Sequence, residues 1–175
     1  MRLANIVSFL TGIFSSSVKR EVPGSIYDFK MKNLGGKEVD FSQFKGKKIL
    51  LVNTASKCGF TPQYKGLEEI NKKFSERVAV LGFPANNFLH QEPGSNKEIE
   101  EFCEINYGVS FPMFEKISVR GKDKHPIYQW LEAKTGKKPD WNFAKYLVSE
   151  DGTDVTFFSA GTPPESKKII DKLAG

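Results

Sequence analysis

Two cysteines in 175 residues are too few to staple a chain of this length, so a disulfide framework is excluded. The two histidines lie far from each other and from the cysteines, which leaves no zinc-ligand spacing. The thiols are therefore core packing or redox chemistry. Apolar runs are short. The longest, Leu3 to Phe14, falls well below the roughly 20 residues that a helix needs to cross a bilayer. Runs of one charge sign are also missing. The net charge of +5 comes from scattered lysines, which argues against a nucleic-acid arm and describes a solvated surface with a weak leaning toward acidic partners. There is no internal repeat and no low-complexity segment.

The remaining composition is that of an ordinary globular domain, rich in phenylalanine. We divide the chain into an N-terminal extension, 1–24, and one domain, 25–175. Within the extension, Leu3–Phe14 is flanked by Arg2 on one side and by Ser15-Ser16-Ser17 and Lys19-Arg20 on the other. It reads either as the apolar core of a signal peptide or as a surface helix. The expectation is a cytoplasmic protein, with export as the alternative.

Ile26–Met31 and Lys37–Phe41, separated by Asn33-Leu34-Gly35-Gly36, read as a hairpin. Lys48–Asn53 and Val78–Phe83 are continuous apolar runs of strand length. Pro62–Glu76 is an amphipathic helix with Leu67, Ile70 and Phe74 on one face. Ser95 and Glu98 form a capping box for a second helix, which carries Ile99, Phe102 and Cys103 on its apolar stripe and stops at Gly108. Phe111–Val119 is expected to end in a strand. A helix over Pro126–Lys134 stops at Gly136. Ala144–Ser149 and Asp154–Phe158 form a second hairpin, and Glu165–Leu173 a last helix. This order predicts an α/β fold with a mixed central sheet flanked by helices.

The most informative segment is Asn53-Thr54-Ala55-Ser56-Lys57-Cys58-Gly59-Phe60-Thr61-Pro62. A buried strand ends, and a Thr-Pro pair opens a helix, with proline tolerated at the first helical position. Cys58 falls in the turn between them. Helix N-termini carry unpaired N–H groups and partial positive charge, and both favour a thiolate, the nucleophilic form of cysteine. Lys57 adds to that field. An inert buried cysteine is the competing reading of this segment.

Asn53-Thr54-Ala55-Ser56-Lys57-Cys58-Gly59-Phe60-Thr61, Gly82-Phe83-Pro84, Gln91-Glu92-Pro93-Gly94 and Trp141-Asn142-Phe143 together resemble the glutathione peroxidase family, over nearly all of Ile26–Leu173. The resemblance implies a thioredoxin-like fold with an N-terminal β-hairpin, and reduction of hydrogen peroxide and organic hydroperoxides without cofactor or metal. It implies a peroxidatic role for Cys58 and a catalytic tetrad completed by Gln91, Trp141 and Asn142. Three side chains with N–H donors around a thiolate stabilise its charge and the oxygen that leaves as the O–O bond breaks. In isolation each would more often be a loop, packing or turn residue. His90 and His125 are read as exposed or turn positions.

Phe102-Cys103-Glu104-Ile105-Asn106-Tyr107-Gly108-Val109 resembles the segment with the resolving cysteine in the thioredoxin-dependent branch of the family. That implies a Cys58–Cys103 disulfide reduced by thioredoxin, with glutathione as the alternative reductant. Cysteine on an apolar stripe is also commonly plain core packing. Two departures stand out. Ala85 replaces a third cysteine, and Leu89 stands where the family often has glycine. The short join from Gly136 to Trp141 lacks the insertion that tetrameric members use, so a monomer is expected. A Cys-x-x-Cys oxidoreductase is disfavoured by Thr61 in the fourth position. A peroxide sensor that oxidises a client protein and a non-catalytic binding module stay open.

Overall fold

The computed structural model describes residues 23–175. Residues 1–22 lie outside the described residues, and with them the reading of Leu3–Phe14 as a signal or surface helix. The first hairpin forms with short arms, β1 (Lys30–Lys32) and β2 (Glu38–Asp40), antiparallel with Met31 opposite Val39. Gly36 makes the turn at φ +83°, a conformation that costs glycine little. Ile26–Asp28, expected as the start of the strand, is instead a 3₁₀ turn. The reason is local: the Ser25 side chain accepts the Tyr27 N–H, and the Asp28 carboxylate accepts the Ser25 N–H.

The apolar runs become β3 (Lys48–Thr54) and β4 (Val78–Pro84), paired in parallel. All of β4 and all but the first residue of β3 are buried, as expected of strands covered on both faces. Between them lies α1 (Gln63–Lys73). The chain continues through α2 (Asn96–Tyr107), α3 (Pro126–Thr135), β5 (Lys145–Val148), β6 (Val155–Phe158) and α4 (Lys167–Ala174). The main sheet runs β4-β3-β5-β6, with β5 antiparallel to both β3 and β6. Side chains alternate across it. Ile49, Leu51, Leu81 and Phe83 pack with Ile127, Trp130 and Leu131 of α3 on one face. Leu50, Val52, Val78 and Val80 pack with Leu67 and Ile70 of α1, Ile99 and Cys103 of α2, and Ile169 of α4 on the other.

Phe111–Val119 does not end in a strand. It runs along the outer edge of β4 as a strap. Gly82 N–H donates to Pro112 O, Phe114 N–H to Gly82 O and Ile117 N–H to Pro84 O. Proline at 112 removes a donor, and the Met113 carbonyl is turned to the hairpin, accepting the Leu34 N–H. The contacts with strands stay isolated bridges at Met113 and Phe114.

The capping box of α2 is present: Glu98 N–H donates to Ser95 Oγ and Ser95 N–H to Glu98 Oε2. Left-handed Gly108, at φ +56°, closes the helix. Of the twelve residues in α2 only Ile99 and Cys103 are buried, with Phe102 and Tyr107 half-buried against the same core. Its far end is pinned further, by the buried Glu68 carboxylate of α1, which accepts both the Ser110 N–H (2.9 Å) and the Ser110 hydroxyl (2.5 Å). Among the described residues no helix is long and apolar enough to cross a membrane.

Candidate active site

The carboxyl ends of β3 and β4 meet two further loops, the position where open α/β sheets bind ligands. Thr54 O accepts the Ala85 N–H. Asn53 holds the Trp141–Phe143 turn from both sides: its Nδ2 donates to Trp141 O (2.9 Å), and its carbonyl accepts the Phe143 N–H (2.6 Å). Gln91 O accepts the Lys57 N–H (3.0 Å). Three segments distant in sequence are thereby joined beside Cys58.

The β3–α1 turn differs from expectation at its end. Pro62 precedes α1 rather than opening it, with helical angles of φ −56° and ψ −17°. The residues before it wind tightly, with Thr61 N–H donating to Cys58 O and Gln63 N–H to Phe60 O. Thr61 fixes this winding. Its hydroxyl donates to Ala55 O (2.8 Å) and accepts the Cys58 N–H (3.0 Å). The half-buried Cys58 sulfur accepts the Phe60 N–H at 3.3 Å. A donor there stabilises negative charge on sulfur. Thr61, half of the Thr-Pro pair and the fourth position of an absent Cys-x-x-Cys, thus has a structural task in the turn.

Of the three companion residues, Gln91 and Asn142 touch. Asn142, fully buried, donates through Nδ2 to Gln91 Oε1 at 2.8 Å. That bond orients both amides and leaves the Gln91 NH₂ without an acceptor among the described residues. Trp141 is half-buried against Phe88, with ring centroids 5.2 Å apart. None of the three side chains donates to the Cys58 sulfur in this resting state; among the described residues Phe60 N–H is the one donor it has. Buried polar atoms without a partner gather here: Asn53 Oδ1, Thr54 Oγ1, Ser56 Oγ, Tyr64 Oη, Glu92 Oε2 and Asn142 Oδ1. Such atoms are rare in packed interiors and mark sites with a task.

Two non-glycine stretches are held at positive φ beside the site: Leu89 (49°) with His90 (53°), and Phe143 (70°). The first pair accounts for glycine as the residue a backbone would prefer at position 89. His90 is exposed, as expected. His125 is not; it caps α3, its Nδ1 accepting the Ile127 N–H at 3.2 Å, and burial lowers its pKa.

Cys103 is free and 2% exposed on α2. Burial pushes its thiol up to about 11. The Tyr64 hydroxyl, itself raised by burial, faces it.

Sequence reasoning missed Lys145. A lysine in a strand ordinarily signals an exposed position, yet this one is fully buried. Its Nζ donates to Phe143 O at 2.6 Å and, more weakly, to Ala160 O at 3.4 Å. Desolvation lowers it to about 7, with Asp140 and Glu165 opposing the shift. Below about pH 7 the folded protein carries the full cost of the buried charge. As pH rises further the unfolded chain holds a proton that the folded one has released, so stability increases. Urea denaturation at stepped pH should show the unfolding free energy rising between about pH 7 and pH 8.5, by about 1–2 kcal/mol. Lys145→Met should flatten that rise.

The sheet order and the helix pairing define a thioredoxin-like fold. A thiol:disulfide interchange protein of the thioredoxin family from Chlorobium tepidum TLS shares it at a TM-score of 0.59, over 83% of this chain and 89% of that one, at 15% identity. Within that fold the sequence is more specific. The profile of the glutathione peroxidase family matches residues 26–132. A glutathione peroxidase from Lactococcus lactis is 47% identical over 155 residues, 85% of this chain and 99% of its own. Glutathione peroxidase-like peroxiredoxin 2 of Saccharomyces cerevisiae is 49% identical over 148 residues, 81% of this chain and 91% of its own. The crystal structure of Trgpx in its apo form superposes at a TM-score of 0.68 with 40% identity, over 86% of this chain and 96% of that one. The chain belongs to the glutathione peroxidase family and is a thiol peroxidase that reduces hydroperoxides.

Proposed function

We propose that Cys58 is the thiol that attacks the hydroperoxide, that Gln91, Trp141 and Asn142 form the donor set around it, and that Cys103 resolves the product for reduction by thioredoxin. The observation that carries this reading is the meeting of three loops at the strand ends around a half-buried thiol that already receives a backbone N–H. Attack on the peroxide oxygen leaves Cys58 as a sulfenic acid and releases water or an alcohol. Cys103 condenses with it to a disulfide, and thiol–disulfide exchange restores both thiols. Two free cysteines and the word peroxiredoxin in the name of the yeast relative support thioredoxin over glutathione. With only Ile99 and Cys103 buried, α2 is the element that opens to bring Cys103 across.

Peroxide consumption with a single reductant tests the proposal. Thioredoxin with its reductase should sustain turnover, and glutathione should support at most a small fraction of it. Turnover with glutathione alone would assign a one-cysteine route. The donor set is tested separately: Gln91→Ala and Asn142→Ala should each slow Cys58 oxidation by roughly a hundred- to a thousand-fold, the range for one lost oxyanion donor. Stopped-flow tryptophan fluorescence reads that step directly.

A further inference from the structure

A second feature of the site concerns the resolving step. Cys103 is a poor nucleophile where it lies, because burial holds its thiol protonated. The Cys103 S–H bond must break for the disulfide to form, so a carboxylate between the segments that carry the two cysteines can serve the step as proton acceptor. A cavity of about 380 Å³ lies between those segments, although neither cysteine lines it. Ser56 and Lys57 of the Cys58 turn line one side, and Ile99 and Phe102, the neighbours of Cys103 on α2, line the other.

Glu92 stands in its wall. The side chain is 1% exposed, and Oε2 has no hydrogen-bond partner among the described residues. Burial raises its pKa, opposed by Ser56, Lys116 and Lys57. Its charge reaches both Cys103 and Tyr64, and Glu98 lines the same cavity. The backbone around it is tied to the Cys58 turn, where Lys57 N–H donates to Gln91 O, and to the strap, where Lys116 Nζ donates to Glu92 O (3.2 Å) and Gly94 O (2.6 Å). None of these bonds uses a residue of α2.

We propose that Glu92 is the proton acceptor of the resolving step, taking the thiol proton from Cys103 as its sulfur attacks the Cys58 sulfenic acid. The S–S bond forms as the S–O bond of Cys58 breaks. The departing hydroxide takes the proton from the Glu92 carboxylic acid and leaves as water. Cys103 sulfur is oxidised, Cys58 sulfur is reduced, and Glu92 ends as it began. The proposal rests on Cys58 and Cys103 being the reacting pair.

The test is a single turnover of the reduced, full chain with one equivalent of hydrogen peroxide across a pH series. Sulfenic acid is trapped with a 1,3-diketone and the disulfide is followed by quenched-flow mass spectrometry. Glu92→Gln keeps the shape of the side chain. It should form sulfenic acid at the wild-type rate but disulfide roughly a hundred-fold or more slowly, as for loss of a general base. The carboxylate-dependent arm of the pH profile should vanish, leaving a rate that climbs only as the thiol itself ionises. Glu92→Asp should keep that arm at reduced rate, which a purely structural role would not do. Disulfide formation at the wild-type rate in Glu92→Gln overturns the proposal, as does equal slowing of the sulfenic step. A wild-type protein that forms sulfenic acid but no Cys58–Cys103 disulfide overturns the proposal together with the reading it rests on.

Discussion

Cys58→Ser should fold as the parent does and show no peroxidase turnover above the rate of the uncatalysed reaction. The fold is spared because Cys58 is only half-buried and its backbone bonds do not involve sulfur: its N–H goes to Thr61 Oγ1, and its carbonyl accepts the Thr61 N–H. One lost bond, from Phe60 N–H to sulfur, is replaced by the serine hydroxyl or by water. The stability change should stay within about 1 kcal/mol. The activity cannot survive, because an alcohol is a far weaker nucleophile than a thiol or thiolate at its free pKa. Sulfur also has the oxidation ladder that oxygen lacks. Thermal denaturation beside a coupled turnover assay separates the two effects. Substantial turnover in this variant would remove Cys58 from the chemistry.

Cys103→Ser should react once and stop. The first step uses nothing from α2, so one equivalent of hydroperoxide should be consumed at nearly the parent rate. The sulfenic acid then has no partner. Under excess peroxide it should advance to sulfinic and sulfonic acid, and thioredoxin-supported turnover should fall by about two orders of magnitude or more, the scale of a lost catalytic group. Cys103 is buried, so a serine hydroxyl left unpaired there costs about 1–3 kcal/mol. Cys103→Ala avoids that penalty and should give the same kinetic result. Unchanged thioredoxin turnover in both variants would make Cys103 a packing residue.

Local rules carry much of this fold. Ile49–Val52 and Val78–Phe83 are apolar runs too short for core helices, and they form β3 and β4. Ser95 with Glu98, and Gly108, mark the two ends of α2 through bonds made within a few residues. Where tertiary partners decide, local reading fails. Phe111–Val119 has strand composition, yet Pro112 and the Leu34 bond to Met113 leave it a strap. Lys145 is buried by the carbonyls of Phe143 and Ala160, one of them fifteen residues away. Cys58 is legible because its turn is local. Gln91, Trp141 and Asn142 have no periodic signal; only motif resemblance singles them out, and what joins them is Asn53 at the end of β3 and the amide pair Asn142–Gln91. Glu92 was visible only as part of a motif, since nothing in the sequence reports that a carboxylate will be buried beside α2.

The central claim is that one hydroperoxide molecule converts two free thiols into one intramolecular disulfide. The most direct measurement is mass spectrometry of the reduced protein after one equivalent of hydrogen peroxide, intact and after digestion without reductant. The account predicts a monomer lighter by two hydrogens and a crosslinked peptide pair containing Cys58 and Cys103. A protein that instead keeps both thiols, or carries a stable oxygen adduct on Cys58 with Cys103 still free, would contradict it.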